Sequence, residues 1–183
     1  MDQIMTLFWQ QGFRPTSIDE LMEVTKLSRA SLYAAFGDKT DMFLRAFERY
    51  VNGTFAQAGR ILHADYDATV RLTELITHWE ESLIRSEGRG CFAVQTYIEF
   101  AHLDGRIPER VQDIIKELRA TVQETLRELL PGRPEAEYLR VADYLVATLF
   151  AMHASARARS RPEHIRNLAD INRRVIAALD RIL

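Results

Sequence analysis

The residues best placed to do chemistry lie in one run near the amino terminus, "SRASLYAAFGDK" (28–39). Ser28, Arg29, Ala30 and Ser31 set two hydroxyls and a guanidinium at the start of a short helical pattern. The neighbouring Ala keeps that end slim enough for a backbone to approach a surface closely. Arg29 can pair two N–H groups with a guanine edge or clamp a phosphate, and Ser31 can bond either. Tyr33, about a turn and a half on, can reach a phosphate with its hydroxyl. Lys39 falls in the first turn of the next helical pattern, where free backbone N–H groups and the helix dipole favour an anion. Ser17 is placed similarly at the preceding helix start, and Lys26 lies in the turn between the two. Together they describe a surface for a nucleic-acid groove. Singly, Ser28 reads equally as an N-cap, Tyr33 as a half-buried aromatic and Lys39 as a solvated charge, and spacing alone does not separate the two readings.

A second set lies in "CFAVQTYIEFAH" (91–102). On helical spacing Cys91, Gln95, Glu99 and His102 fall within about 80° of one another. Phe92, Val94, Tyr97, Ile98 and Phe100 make the rest of that helix almost wholly apolar. One polar stripe on an otherwise buried helix describes the polar wall of a ligand cavity, and equally a stripe facing water. Trp79, Phe150 and His153 are candidates for the same cavity, or plain core and interface. Cys91 opens its helix after "GRG", where the dipole and Arg89 would lower its pKa and make it a candidate thiol sensor. A lone cysteine also reads as a small buried residue. The five His and one Cys give no tight metal-ligand spacing.

The elements that must position these residues all read as helices. Ile4, Leu7 and Phe8 predict a first helix stopped by Gly12. "TSIDE" supplies Ser17 as N-cap with Glu20 three residues on, a capping box. The spacing predicts helices over Ser17–Val24 and Ser28–Phe36, joined by a three-residue turn, with Gly37 as the stop. Asp38 with Asp41 opens a longer helix to about Leu62. Five more follow at roughly 67–87, 91–103, 108–130, 135–157 and 163–182, broken by "EGRG", "DGRIP", "PGRP" and "SRPE". "RARSR" (157–161) is a basic cluster in a helix connection and reads as a solvated loop. The last two helices are apolar on several faces, and two such helices paired with their symmetry mates make a four-helix bundle across a two-fold axis.

With those elements laid out, residues 7–50 closely resemble the N-terminal domain of the TetR family of transcriptional regulators. The segments that carry the likeness are "LFWQQGF", "TSIDELMEVTKLSRASLY" and "FGDKTDMFLRAFERY". "GRGCFAVQTYIEF" resembles the same family more loosely. The resemblance implies an all-α fold, with a helix-turn-helix head (1–47) and a helical effector-binding and dimerisation domain (48–183). It also implies a homodimer on an operator, released by a small molecule. Two departures stand out. Lys26 occupies the turn position usually held by Gly, which costs about 1 kcal/mol if the backbone there needs positive φ. The basic extension that usually precedes the first helix is absent from this sequence, which begins almost inside that helix.

Composition sets the limits. The chain has 183 residues, 47% of them hydrophobic and 27% charged, with a formal net charge of -2. Residues 1–60 carry seven basic and seven acidic side chains, so DNA binding would need the basic groups segregated on one face. A single Cys excludes an intrachain disulfide and fits a reducing cytoplasm. "MDQIMTLFWQQGF" has no basic region followed by a long apolar run, so it reads as no signal peptide, and no window is apolar enough to span a membrane. No catalytic triad, phosphate loop, metal motif or cofactor motif is present to suggest an enzyme. The expected function is a ligand-responsive regulator, with repression, the common case in the family the sequence resembles, as the expected direction of control. Its expected partners are a double-stranded DNA operator, an unidentified small-molecule effector and, through the last two helices, a second copy. The alternatives are a dimeric helical adaptor without DNA binding, or a regulator sensing oxidants or electrophiles through Cys91.

Overall fold

The computed structural model describes residues 1–182, and among them every regular element is a helix. In chain order these are α1 (Asp2–Gln11), α2 (Ile18–Thr25), α3 (Arg29–Phe36), α4 (Lys39–Leu62), α5 (Ala68–Arg85), α6 (Phe92–Phe100), α7 (Arg106–Leu129), α8 (Glu135–Arg157) and α9 (Pro162–Ile182). No helix among the described residues is long and apolar enough to cross a membrane.

The boundaries near the amino terminus are set by local chemistry. Ser17 accepts from the Glu20 N–H while the Glu20 carboxylate accepts from the Ser17 N–H, so the expected capping box forms. Asp38 and Asp41 make the same reciprocal pair at the start of α4. Ser28 accepts from the Ser31 N–H at the start of α3. The turn between α2 and α3 places Lys26 at φ 58°, ψ 24°, in the left-handed region. The residue that departs from the family's glycine therefore does sit where glycine is favoured. Two boundaries differ from expectation: α6, expected over 91–103, spans Phe92–Phe100, and α7, expected from 108, starts earlier. "DGRIP" does not end the break at Pro108, because α7 already begins at Arg106. Proline is tolerated in a helix's first turn, where its missing N–H has no intrahelical partner to lose.

α1 packs against α4 and α2, and α2 against α3; α4 also packs against α5 and α7, which with α8 and α9 form the bundle. α4 thus runs unbroken through the boundary expected at residues 47/48, and the buried residues on its two sides belong to one core cluster. α6 is short and wedged between the head and the bundle, touching α4, α7 and α8. Its Phe92 and Phe100 enter an aromatic cluster with head residues. Phe43 lies 5.4 Å from Phe92 and 6.0 Å from Phe100, and Phe13 lies 5.6 Å from Phe100, ring centre to ring centre. The Phe43–Phe92 pair is edge-on, a geometry favourable beyond the area it buries, and the other two pairs are tilted. Head and bundle share one hydrophobic core.

Candidate DNA-binding surface and effector cleft

α3 commits little of itself to the core. Leu32 is buried and Phe36 is half-buried; Ser28, Arg29, Ala30, Ser31, Tyr33, Ala34 and Ala35 are exposed. Two cap hydroxyls and a guanidinium therefore stand at the outer end of a helix that the rest of the head holds by one leucine. Arg29 is not idle in the free protein, since its Nη2 donates to Asp19 Oδ1 at 2.7 Å. The Ser28 and Ser31 hydroxyls are 2.9 Å apart. Ser17 is exposed and engaged in its capping box. Lys26 is exposed in the turn.

Lys39 is held differently from a free surface cation. Its ammonium lies 4.6 Å from the centre of the Phe13 ring and 3.4 Å from the Arg14 carbonyl oxygen. Partial burial lowers its pKa, opposed by the carboxylates of Glu99 and Glu20. The same Phe13–Arg14 segment is gripped from the other side by Glu99 of α6. Glu99 Oε2 accepts from the Phe13 N–H at 3.0 Å and Oε1 from the Arg14 N–H at 2.8 Å. A carboxylate on two adjacent amides is a strong, charge-assisted arrangement.

Gln95, one turn earlier on α6, meets the end of α1. With its amide oriented to satisfy both neighbours, Gln95 donates to the Trp9 carbonyl at 2.8 Å and accepts from the Gly12 N–H at 3.2 Å. Arg157, in the last turn of α8, donates to the Gln10 carbonyl at 3.2 Å. The last carbonyls of a helix have no partners of their own. Two of those of α1, on Trp9 and Gln10, are satisfied by side chains from α6 and α8. Gly12 (φ 93°) makes room for this clasp, because a Cβ there would come within 2.6 Å of Glu99 Oε2.

The stripe predicted on α6 therefore divides. Gln95 and Glu99, both half-buried, reach the head because α6 lies against the end of α1. His102 lies beyond the end of α6 and is exposed. Cys91 alone faces a cleft, of about 440 Å³ including its mouth, between α1, α4, α5 and α8. Trp79 lines it, with Trp9, Tyr50 and Phe55 as further aromatic walls. Phe150 does not line this cleft; its ring packs edge-on against Tyr97 at 5.4 Å. His153 stands behind the cleft, where its Nδ1 accepts the Cys91 N–H at 2.8 Å. Burial, with Arg157 nearby, pulls its pKa down to about 4, so the ring is a neutral acceptor at neutral pH. The expected activation of Cys91 does not occur. Its thiol is buried and burial raises its pKa, outweighing the Tyr50 hydroxyl at 3.4 Å and the α6 N–H groups.

Sequence reasoning missed Trp9, Tyr50 and Arg157. Tyr50 carried a signal: it is the one hydroxyl on the apolar face that runs through Phe43 and Phe47. Trp9 and Arg157 carried none, because what they touch is fixed by helices far away in sequence.

An exposed second helix in a two-helix corner, tied through α1 and α4 to a larger helical bundle, defines a helix-turn-helix transcriptional regulator. Residues 1–46 match the family described as bacterial regulatory proteins, tetR family, and residues 68–171 match the tetracyclin repressor-like C-terminal domain. The chain belongs to the TetR family of transcriptional regulators, as its sequence resemblance implied. Among curated relatives, the HTH-type transcriptional repressor ComR of Escherichia coli is 24% identical over 184 residues, covering 92% of this chain and 83% of that protein. The repressor BdcR of the same organism is 26% identical over 151 residues, covering 82% and 74%. Among solved structures, a TetR-family regulator from Streptomyces coelicolor superposes with a TM-score of 0.85 at 18% identity, covering 95% of this chain and 89% of that one. A cysteine mutant of the regulator CifR, complexed with 26-base-pair operator DNA, superposes with a TM-score of 0.78 at 22% identity, covering 94% and 92%.

Proposed function

We propose that this protein is a ligand-responsive repressor that binds a two-fold-related operator as a homodimer and leaves it when a small molecule occupies the bundle. The observation that carries the reading is α3: a helix exposed along most of its surface, polar at its first turn, and anchored chiefly through Leu32. Ser28, Arg29 and Ser31 enter the major groove, with Arg29 on a base or phosphate. Tyr33, Lys39, Ser17 and Lys26 contact the backbone. Lys39 does so only after leaving Phe13 and Arg14, which Glu99 holds, so a shift of α6 changes the supply of that cation to DNA.

Dimerisation is assigned to α8 and α9. Their outward faces carry Leu139, Tyr144 and Ile171 exposed, with Ala147 and Ala151 between them on α8. A matching face on a second copy would cover these side chains. The adaptor reading offers no use for a polar, exposed α3. The thiol-sensor reading needs a thiolate at Cys91, which burial disfavours.

The test is DNA binding as a function of salt, using fragments from upstream of the gene itself and of its neighbours. Specific binding should need a two-fold-related site and weaken steeply as salt rises. Arg29→Ala and Tyr33→Ala should abolish measurable specific binding while leaving the helical content and melting temperature unchanged. Full-strength operator binding by both variants would refute the placement of the reading head.

A further inference from the structure

The cleft at Cys91 has a chemistry of its own. Four aromatic side chains wall it: Trp9 from α1, Tyr50 and Phe55 from α4, and Trp79 from α5. Hydroxyls of Tyr50, Thr54 and Ser82 and the Cys91 thiol supply its polar spots. No Asp, Glu, Lys, Arg or His lines it. A charged guest would lose its hydration without gaining a counter-charge, which is strongly unfavourable. The enclosed part holds only about 50 Å³, well below the roughly 300–1,000 Å³ typical of preformed small-ligand sites. A guest no larger than one ring enters, and only by displacing a wall side chain.

Trp9 gives the cleft a second property, because it belongs to the head. Its indole N–H donates to the Gly90 carbonyl at 3.0 Å, and its ring meets Tyr50 edge-on at 5.1 Å. The Arg89 guanidinium lies over the indole at 4.6 Å. The Trp9 backbone carbonyl is the one that Gln95 grips, three residues before Gly12. A guest that displaces the indole therefore acts on the clasped end of α1 directly. A groove between α1 and α4 lies on the other side of Trp9, Tyr50 and Thr54, which line both spaces.

We propose that this cleft binds a neutral, single-ring aromatic molecule bearing one hydrogen-bonding group, and that Trp9 transmits its arrival to the DNA-binding head. The transmission rests on the regulator reading above; the binding chemistry does not.

The chain has two tryptophans, Trp9 and Trp79, and both line the cleft. Intrinsic fluorescence thus reads occupancy without a label. Phenol should quench it saturably and raise the melting temperature. Benzoate, which keeps the ring and adds a charge, and cyclohexanol, which keeps the hydroxyl and loses aromaticity, should bind at least about tenfold more weakly. Ala58→Leu, which fills the cleft from α4, should abolish the phenol response. Trp79→Phe should keep the fold and weaken phenol about two- to tenfold, so it decides the matter if Ala58→Leu proves unfolded. Trp9→Phe should still bind phenol but lose at least half of the phenol effect on DNA affinity. No saturable change with phenol, benzoate equal to phenol, or a phenol response unaltered in folded Ala58→Leu or Trp79→Phe would overturn the assignment. Phenol binding that weakens DNA binding equally in the wild type and Trp9→Phe would overturn the role of Trp9. Normal phenol binding by a protein that binds no DNA would instead refute the regulator reading and uphold the cleft assignment.

Discussion

α3 and α6 are alike on paper and opposite in use. Each is a short helix with a polar stripe, and each follows a break that holds a residue at positive φ, Lys26 before α3 and Gly90 before α6. α3 buries Leu32 and leaves its polar end in solvent. α6 buries Phe92, Ala93, Val94, Thr96 and Phe100, and turns Gln95 and Glu99 onto the backbone of another element. The difference lies in what the polar atoms already have. The α3 groups are satisfied by each other and by Asp19, all within the head and all exchangeable with water or phosphate. The α6 groups satisfy backbone N–H and C=O groups that the fold would otherwise leave unpaired. A polar stripe that completes the hydrogen bonding of a helix end is structural and costly to move, which suits a coupling element; one that is locally self-satisfied is available for a partner.

The widest break in that contrast should come from Gly12→Ala. The substitution imposes a Cβ at φ 93° and drives it against the Glu99 carboxylate. Backbone strain of about 1–2 kcal/mol and loss of the charge-assisted clasp combine to an expected destabilisation of about 3 kcal/mol. Chemical denaturation should register it as a lower midpoint. A midpoint unchanged within error would mean that Glu99 contributes nothing to holding the turn.

Glu99→Gln tests the clasp without touching the backbone. One amide oxygen replaces two carboxylate oxygens, so one of the Phe13 and Arg14 N–H groups loses its acceptor. The expected cost is about 1–2 kcal/mol in stability. Lys39 also loses its attraction to a nearby carboxylate. Operator affinity should therefore hold or rise slightly while the response to the effector shrinks. Equal loss of operator affinity and effector response would place Glu99 in the fold alone.

These two regions were also unequally legible. The helix starts at Ser17, Ser28 and Asp38 could be read directly, since a capping box is decided within four residues. The spacing also set Leu32 and Phe36 as the inward residues of α3, but the exposure of Tyr33, Ala34 and Ala35 came only with the structure. The use of α6 could not be read, because Glu99 meets the Phe13 and Arg14 amides across 86 and 85 residues of sequence. Periodicity says which side chains share a face, not which element that face meets. Cys91 failed for a related reason. The favourable end of a helix dipole is visible in sequence, whereas the burial that outweighs it depends on how distant helices pack around the thiol, Tyr50 of α4 among them.

Lys26→Gly sharpens the comparison from the α3 side. The backbone at φ 58° is strained for lysine and not for glycine, so the change should stabilise the fold by about 1 kcal/mol, read as a higher denaturation midpoint. Its effect on DNA separates two roles. A Lys26 that contacts phosphate makes the variant bind more weakly at every site, with the salt slope reduced by about one. A salt slope equal to the wild type would remove Lys26 from the interface and leave it a tolerated departure from glycine.

The smallest effect is expected at Asp19. Its pair with Arg29 at 2.7 Å is exposed, with 56% of the Arg29 side chain and 80% of the Asp19 side chain open to solvent. Such pairs contribute about 0.2–1 kcal/mol, so Asp19→Asn should leave stability almost unchanged. On DNA the same carboxylate competes with the operator for Arg29, and it places a negative charge beside the phosphates. Its removal should tighten binding by up to about fivefold at low salt, with the gain fading as salt screens the charge. The gain should fall on specific and unrelated DNA alike if Arg29 only clamps phosphate. Concentrated on the operator, it would mark Arg29 as a base reader and Asp19 as the side chain that keeps that reader occupied until the groove supplies something better.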